Sequence, residues 1–366
     1  MAPRAAPPEV SVIVPTFNEF GNVLELKVRL EETLRNWAWE VVFVDDDSTD
    51  GTLDVLRQMA RSDPRVRMIH RIGRRGLATA VVEGVQSTSA PLVAVMDADL
   101  QHDEAALPRM IANLEVANAD LVVGSRYMEG GGIGEWSRRR HAISRLATRL
   151  SQIVVRAELS DPMSGFFLIR REAFDRSVRR LSNQGYKSLL DIVASAEPRL
   201  NVAETPYQFR PRVHGDSKLD SAVTWEYVML LVDKLIGHVI PLRFFMFALV
   251  GGVGVIVHMT VLTTSYQGAG MNFAVAQTLA AMVAMTFNFF VNNALTYRDK
   301  RLKGLWATLR GLLSFYLVCA VGTVANVGIA GFLFDNAYSW WLAGVAGILV
   351  GAVWNYAASS IFTWRK

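Results

Sequence analysis

Leu92-Val93-Ala94-Val95-Met96-Asp97-Ala98-Asp99-Leu100-Gln101-His102-Asp103 begins as an apolar run and breaks off in two carboxylates one residue apart. The apolar run fits a buried parallel strand, and in open α/β sheets ligands bind just beyond the carboxyl ends of the strands. Side chains alternate along a strand with period two, so Asp97 and Asp99 are expected to point the same way. Two hard oxygen ligands on one side suit Mg2+ or Mn2+, which also take oxygens from substrate phosphates. Gln101, two residues on, offers a third oxygen. An Asp-x-Asp alone is more often a solvated turn, so the rest of the chain decides.

Upstream, Ser11-Val12-Ile13-Val14 reads as a strand stopped by Pro15. Asn22 followed by Glu25 resembles a helix start, with the helix running to about residue 35. Val41-Val42-Phe43-Val44 is a second strand, and it too ends in acids, Asp45-Asp46-Asp47. A third strand is expected over residues 66–70, a helix over 76–87 and another over 104–117, then a strand over 121–124. This alternation predicts an α/β domain with a parallel, doubly wound, Rossmann-like sheet. A Gly-x-Gly-x-x-Gly after the first strand and a Walker lysine loop are both missing, which argues against a dinucleotide oxidoreductase and a P-loop enzyme. The six histidines make no His-x-x-x-His pair, and no Gly-x-Ser-x-Gly elbow points to a hydrolase.

Apolar residues are unevenly spread over the 366 positions. Charges recur every few residues up to about Lys218, and beyond Arg243 long uncharged runs take over, so a soluble domain is expected to precede a membrane domain. Cys319 is the single cysteine and sits in an apolar run, which excludes an internal disulfide and favours packing over reactivity. Residues 1–10 lack a signal-peptide core, so the N-terminus is expected in the cytosol. With a net charge of +4 and no nucleic-acid motif, the basic residues are read as facing membrane and phosphate.

Val12-Ile13-Val14-Pro15-Thr16-Phe17-Asn18-Glu19, Val44-Asp45-Asp46-Asp47-Ser48-Thr49-Asp50-Gly51-Thr52, Asp97-Ala98-Asp99-Leu100-Gln101-His102, Gly124-Ser125-Arg126-Tyr127 and Ser164-Gly165-Phe166 together resemble the family 2 glycosyltransferases. Within that family they look like dolichol/polyprenol-phosphate mannose synthases, over roughly residues 9–220. One departure is Arg74-Arg75-Gly76-Leu77-Ala78, where relatives often read Lys-x-Gly-Leu-Gly. The resemblance implies a GT-A-type fold. It implies that Pro15, Phe17, Glu19, Val44 and Asp46 cradle the donor's base and ribose. Asp97, Ala98 and Asp99 would meet diphosphate and sugar, with Asp97, Asp99 and Gln101 as the metal set and Asp97, Asp99 and Arg126 as the catalytic set. It also implies that Arg126, Arg140 and Ser144 hold the acceptor phosphate, while Arg212 and Lys218, in a mobile loop, cover the donor diphosphate beside Arg126. The i,i+4 spacing of Arg140 and Ser144 suits one helix face. Arginine suits phosphate because its fork donates two hydrogen bonds at once. Asp161, before Ser164-Gly165, is a weaker candidate for orienting sugar or acceptor.

Residues 219–241 are apolar but interrupted by Glu226, Asp233 and Lys234, which predicts amphipathic helices at a membrane interface. Residues 244–266, 272–297, 312–334 and 340–364 contain no Lys, Arg, Asp or Glu and each can span a bilayer. Basic residues lie at Arg298-Asp299-Lys300-Arg301 and at Arg365-Lys366, so four spans with both termini and the catalytic domain cytoplasmic are expected. Trp306, Trp340, Trp341 and Trp364 are placed in aromatic belts. Asn288-Phe289, Asn292-Asn293 and Thr296-Tyr297-Arg298 repeat as Asn355-Tyr356, Ser359-Ser360 and Thr363-Trp364-Arg365. Two copies of a helical hairpin follow, resembling the GtrA-like membrane domain, with Asn288, Asn292 and Asn355 read as helix–helix hydrogen-bonding groups. The expected domains are therefore a transferase over 1–218, interface helices over 219–241 and a membrane domain over 242–366. The expected reaction is metal-dependent, inverting transfer of a hexose, foremost mannose from GDP-mannose, to dolichyl or polyprenyl phosphate at the lipid bilayer. A UDP-glucose-dependent polyprenyl-phosphate glucosyltransferase is the runner-up, and a lipid-linked-sugar flippase or scaffold with a silent transferase domain is the alternative from another class.

Overall fold

The computed structural model describes residues 7–132, 151–152, 159–182, 187–211, 229–235, 240–336 and 339–365. Seven strands make one sheet: β1 (Val10–Thr16), β2 (Trp39–Asp45), β3 (Val66–His70), β4 (Leu92–Val95), β5 (Leu121–Ser125), β6 (Phe167–Arg170) and β7 (Val202–Pro206). Their order is β3-β2-β1-β4-β6-β5-β7. The first four are mutually parallel, as the alternation predicts. β6 is the correction: it runs antiparallel to both β4 and β5, so the sheet is mixed. The chain leaves β5 at the ligand-bearing rim and re-enters the sheet from that same rim, where Val123 faces Phe167, so β6 must run back.

Two apolar layers sandwich the sheet. Helices α1 (Val23–Thr33), α2 (Thr52–Ser62) and α4 (Leu107–Val116) cover the face bearing Val12, Val14, Val41 and Phe43. Helices α3 (Leu77–Gln86), α5 (Arg171–Ser177) and α6 (Ser188–Ser195) cover the other, bearing Ile13, Val42 and Val44. Val12, Ile13 and Val14 thus divide between the two layers as period-two alternation requires, which is the doubly wound arrangement. Gly84 lets α3 approach closely, since a Cβ there would come within 2.9 Å of Val44 Cγ2.

Contact clustering separates residues 1–235 from 236–366. Most of the expected interface stretch 219–241 lies outside the described residues. Its described part, residues 229–235, is helical and buries Leu230 and Leu231 in the core beside α6. Lys234 Nζ lies 2.5 Å from Asp191 Oδ1, with the two side chains 11% and 2% exposed. Ser182 and Ser195 also donate to that carboxylate. This turn therefore belongs to the core of the first unit.

In the second unit, helices α7 (Leu242–Thr263), α8 (Phe273–Val291), α9 (Leu305–Asp335) and α10 (Trp340–Ala358) include four segments long and apolar enough to cross a membrane. α9 begins earlier than the expected third span and takes in Arg310. The repeat is visible in contacts. Tyr297 and Trp364, equivalent positions of the two hairpins, are buried and stack with centroids 4.1 Å apart and rings 5° from parallel. Trp364 Nε1 donates to Asn293 Oδ1 at 3.0 Å, while the Tyr297 hydroxyl bonds Ser360 Oγ at 2.7 Å. Asn293 and Ser360 are themselves equivalent, and such reciprocal contacts mark an approximate two-fold. Trp364 is therefore a core residue and not part of an aromatic belt. Asn288 and Asn355 press their amides against Gly254 and Gly322, and their Oδ1 atoms lack hydrogen-bond partners. Asn292 bonds within its own helix, to Thr296. The three amides thus do not form the expected interhelical hydrogen bonds.

Removing one partner of a buried ion pair strands the other charge and costs about 3–5 kcal/mol. A chain ended after Pro241 is expected to fold as a transferase unit. Lys234→Ala in that truncated protein should lower stability by about that amount in chemical denaturation. An unchanged midpoint would show that residues 229–235 are dispensable.

Candidate active site

Strand β4 ends at Val95, so Asp97, Ala98 and Asp99 lie on the turn beyond it and strand alternation is not what aims them. The turn is built by anchoring. Ala98 and Leu100 are 3% and 2% exposed and plug the turn into the core. Leu100 adopts a left-handed conformation, φ 61°. That conformation costs roughly 1–2 kcal/mol in a non-glycine residue, while burying a leucine side chain returns about 1.5–3 kcal/mol, so the turn holds. The Asp97 N–H donates to His102 Nδ1 at 3.0 Å, leaving the ring proton on Nε2, which lies 3.7 Å from Asp97 Oδ2. His102 is boxed by Phe166, stacked at 5.3 Å, and by Tyr207 and Phe209 edge-on. Burial holds its pKa below the usual histidine range, so the ring is neutral.

Asp99, 8% exposed, accepts the Gln101 N–H at 3.2 Å. Gln101 Nε2 donates to the Arg210 carbonyl at 3.1 Å, so the carbonyl end of that amide is the one not engaged by Arg210. Burial raises the Asp97 pKa, and Asp99 adds to the rise against the pull of Lys187 and Arg126. Two crowded carboxylates are what a divalent cation relieves, and the donor set is all oxygen. Among the described residues no cluster of three or more His, Cys, Asp or Glu side chains forms a closed metal site. The set fits Mg2+ or Mn2+ completed by ligand phosphates and not a structural metal held by protein alone.

Behind the turn lies a buried charge network. Arg126 donates from Nε and Nη2 to the two oxygens of Asp161 at 2.7 and 2.8 Å, and Asp161 is fully buried. Glu204 of β7 holds Ser160 and the Asp161 N–H, fixing the carboxylate that fixes Arg126. Burial disfavours the Arg126 charge, but the Asp161 hydrogen bonds outweigh it and its pKa stays raised. Lys187 donates to the Met163 carbonyl at 2.9 Å, and burial and Arg126 push its pKa down to about 8. Gly165 completes the enclosure: a Cβ there would lie 3.1 Å from Asp97 Oδ2 and 3.2 Å from His102 Cε1.

Of the candidate residues, Asp97, Ala98, Asp99, Gln101 and Arg126 come together. Pro15 and Val44 are paired across β1 and β2, close to Phe17 and Asp46, but Val44 is fully buried beneath the rim. Asp46 is committed to Arg71 Nη1 at 2.5 Å and the Gly76 N–H at 2.7 Å. Glu19 accepts from Asn22 Nδ2 at 2.7 Å. Arg140, Ser144, Arg212 and Lys218 lie outside the described residues. Sequence reasoning missed His102, Lys187, Tyr207 and Glu204 and underweighted Asp161. Asp161 carried a local signal, its place just before Ser164-Gly165-Phe166, and His102 stood at the end of the Asp97–His102 motif without a role assigned to it.

Two family models match the chain: glycosyl transferase family 2 over residues 11–178, and the GtrA/DPMS transmembrane domain over residues 246–364. A dolichol-phosphate mannosyltransferase from Pyrococcus furiosus is 30% identical over 358 residues, covering 97% of this chain and 99% of its own length. Another from Mycosarcoma maydis is 36% identical over 234 residues, 62% of this chain and 79% of its own. Among solved structures, glucosyl-3-phosphoglycerate synthase from Mycobacterium tuberculosis aligns with a TM-score of 0.46 at 18% identity, over 62% of this chain and 79% of that one.

A carboxyl whose pKa is raised on folding binds its proton more tightly in the native state. Stability is then lost as pH rises from the ordinary carboxylate range through the raised value. In chelator, Asp97→Asn should unfold at a higher temperature than the parent at pH 7, with the difference vanishing in acid. Added Mn2+ should raise the melting temperature of the parent only. A destabilised Asp97→Asn at pH 7 would contradict the electrostatic account.

Proposed function

The chain belongs to the dolichol-phosphate mannosyltransferases of glycosyltransferase family 2 and carries a GtrA/DPMS transmembrane domain, and from that premise we propose that it moves mannose from GDP-mannose to a dolichyl or polyprenyl phosphate with inversion at the anomeric carbon. The match to the Pyrococcus furiosus enzyme across both units carries this reading. The paired carboxylates at the strand ends supply its chemistry.

Asp97, Asp99 and the Gln101 carbonyl would hold Mg2+ or Mn2+, which when bound supplies positive charge to a departing diphosphate. The nucleophile is the acceptor phosphate. A phosphate monoester has its second pKa near about 6, so it arrives ionised and the chain needs no general base. Attack from the side opposite the leaving diphosphate forms the new C–O bond as the old one breaks. Arg140 and Ser144 bind the acceptor phosphate, and Arg212 and Lys218 cover the donor diphosphate. Arg126 has part of its fork committed to Asp161, so it acts as a fixed positive charge between the two phosphates. Pro15, Phe17, Glu19 and Asp46 flank base and ribose. The basic connection at residues 298–303 and the basic pair Arg365-Lys366 support a transferase at the cytoplasmic leaflet.

Purified protein given GDP-mannose and polyprenyl phosphate with Mn2+ should form lipid-linked mannose. Asp99→Ala or excess chelator should abolish the product, and full activity in chelator would remove the metal from the mechanism. Charge-assisted phosphate contacts are worth roughly 1.5–3 kcal/mol, or about one to two decades in affinity. Arg140→Ala should raise the KM for polyprenyl phosphate by about that factor and leave the donor Kd unchanged. The reverse pattern would move Arg140 to the donor side.

A further inference from the structure

The loop after β3 carries three arginines, and one of them is set apart from the acids around it. Arg71, 2% exposed, donates to Asp46 Oδ1 and to the Gly76 carbonyl at 3.0 Å. Arg74 binds Glu83 through hydrogen bonds of 2.8 and 3.2 Å. Arg75 has no carboxylate within 4 Å among the described residues. Its guanidinium carbon lies 4.1 Å from the centroid of the Phe17 ring. The loop backbone is pinned from the rim of β2: Asp46 accepts the Gly76 N–H at 2.7 Å and Asp47 accepts the Gly73 N–H at 3.3 Å, with His70 Nε2 2.9 Å from Asp47 Oδ1. The segment bearing Arg75 is thus held over Phe17 by its backbone, while the side chain is exposed and its cation–π contact is weak.

Phe17 follows the carboxyl end of β1, and β1 neighbours β2 on one side and β4 on the other. The chain winds from β1 to β2 with α1 on one face, and from β3 to β4 with α3 on the other, which makes β1/β4 the switch point where such sheets bind nucleotides. A half-buried ring at that point is a stacking platform for a base.

We propose that Arg75 selects the base of the donor. When a base stacks on Phe17, the guanidinium moves from the ring face to the base edge and pairs its fork with O6 and N7 of guanine. This rests on the GDP-mannose reading and deepens it. The chemistry is discriminating because arginine offers donors only. Guanine presents two adjacent acceptors on that edge, adenine an acceptor beside an amino donor, and a 4-oxopyrimidine one acceptor beside carbon. A lone carbonyl leaves half of the fork unmatched, and an amino group opposes it.

The test is calorimetric titration of the full-length protein in detergent with Mn2+, using GDP, UDP and 7-deaza-GDP, which lacks the N7 acceptor. Arg75→Ala is compared with Arg74→Ala, which removes the same charge one residue away. A matched bidentate pair to a base discriminates by about 10- to 100-fold. Arg75→Ala should weaken GDP by that factor, leave UDP unchanged, and no longer distinguish GDP from 7-deaza-GDP, whereas Arg74→Ala should keep the parent's pattern. Equal losses for GDP and UDP would make Arg75 a diffuse phosphate attractor and overturn the proposal. Parental binding of 7-deaza-GDP as tight as GDP would overturn it too. If the parent prefers GDP and Arg75→Ala keeps that preference, only the role of Arg75 falls. If the parent itself prefers UDP, the GDP-mannose reading falls and this inference with it.

Discussion

Asp97 and Asp99 repel each other across one intervening residue, and the surrounding structure holds them in place against that repulsion. Ala98 and Leu100 are buried, so the carboxylates cannot swing apart without withdrawing apolar side chains from the core. His102 fixes the backbone of Asp97 from one side, and Gly165 allows the next loop to close over it. The Glu204, Asp161 and Arg126 chain sets a positive charge behind the turn, already oriented by two hydrogen bonds. Groups fixed before a ligand arrives need no reorganisation when charge develops.

Much of this was legible in the sequence because local patterns carry it. Short apolar runs, stopped by Pro15 or by acids, gave β1, β2 and β4, and their alternation with helices gave the parallel half of the sheet. The second half was not legible for two reasons. β6 sits in an apolar run like the others, and only its re-entry from the ligand rim makes it antiparallel, which is a property of the whole path. β7 carries Glu204 and Thr205 and lacks apolar alternation. The site divides the same way. Asp97, Asp99 and Arg126 belong to short motifs. Lys187, Tyr207 and Glu204 reach the cluster from distant segments, and no spacing announces them, while His102 stands in the same short stretch as the aspartates and its bond to the Asp97 N–H is visible only in the folded turn. Strand alternation was the reason for pairing the two aspartates, but the strand stops before them and the buried Ala98 and Leu100 fix their turn instead.

The second unit applies the same economy through repetition. Two hairpins with matching residues meet at Tyr297 and Trp364, each bonded to the other hairpin's equivalent polar residue. The repeat was readable because equivalent residues keep their spacing. Whether Trp364 faced lipid or the partner hairpin was not, because an aromatic residue at a helix end suits either. The Gly254–Asn288 and Gly322–Asn355 contacts show how polar residues are accommodated in such helices: the amide is packed against a glycine with no hydrogen bond to its carbonyl oxygen.

Two carboxylates and an amide, Asp97, Asp99 and Gln101, would make half a metal site that a nucleotide diphosphate would complete. Electron paramagnetic resonance titration of Mn2+ into the full-length protein, with and without GDP, tests this directly. The account requires Mn2+ to bind at least about tenfold more tightly with GDP present, and GDP to gain the same factor from Mn2+, since coupling between two ligands is reciprocal. Mn2+ binding that is equally tight without nucleotide would contradict it.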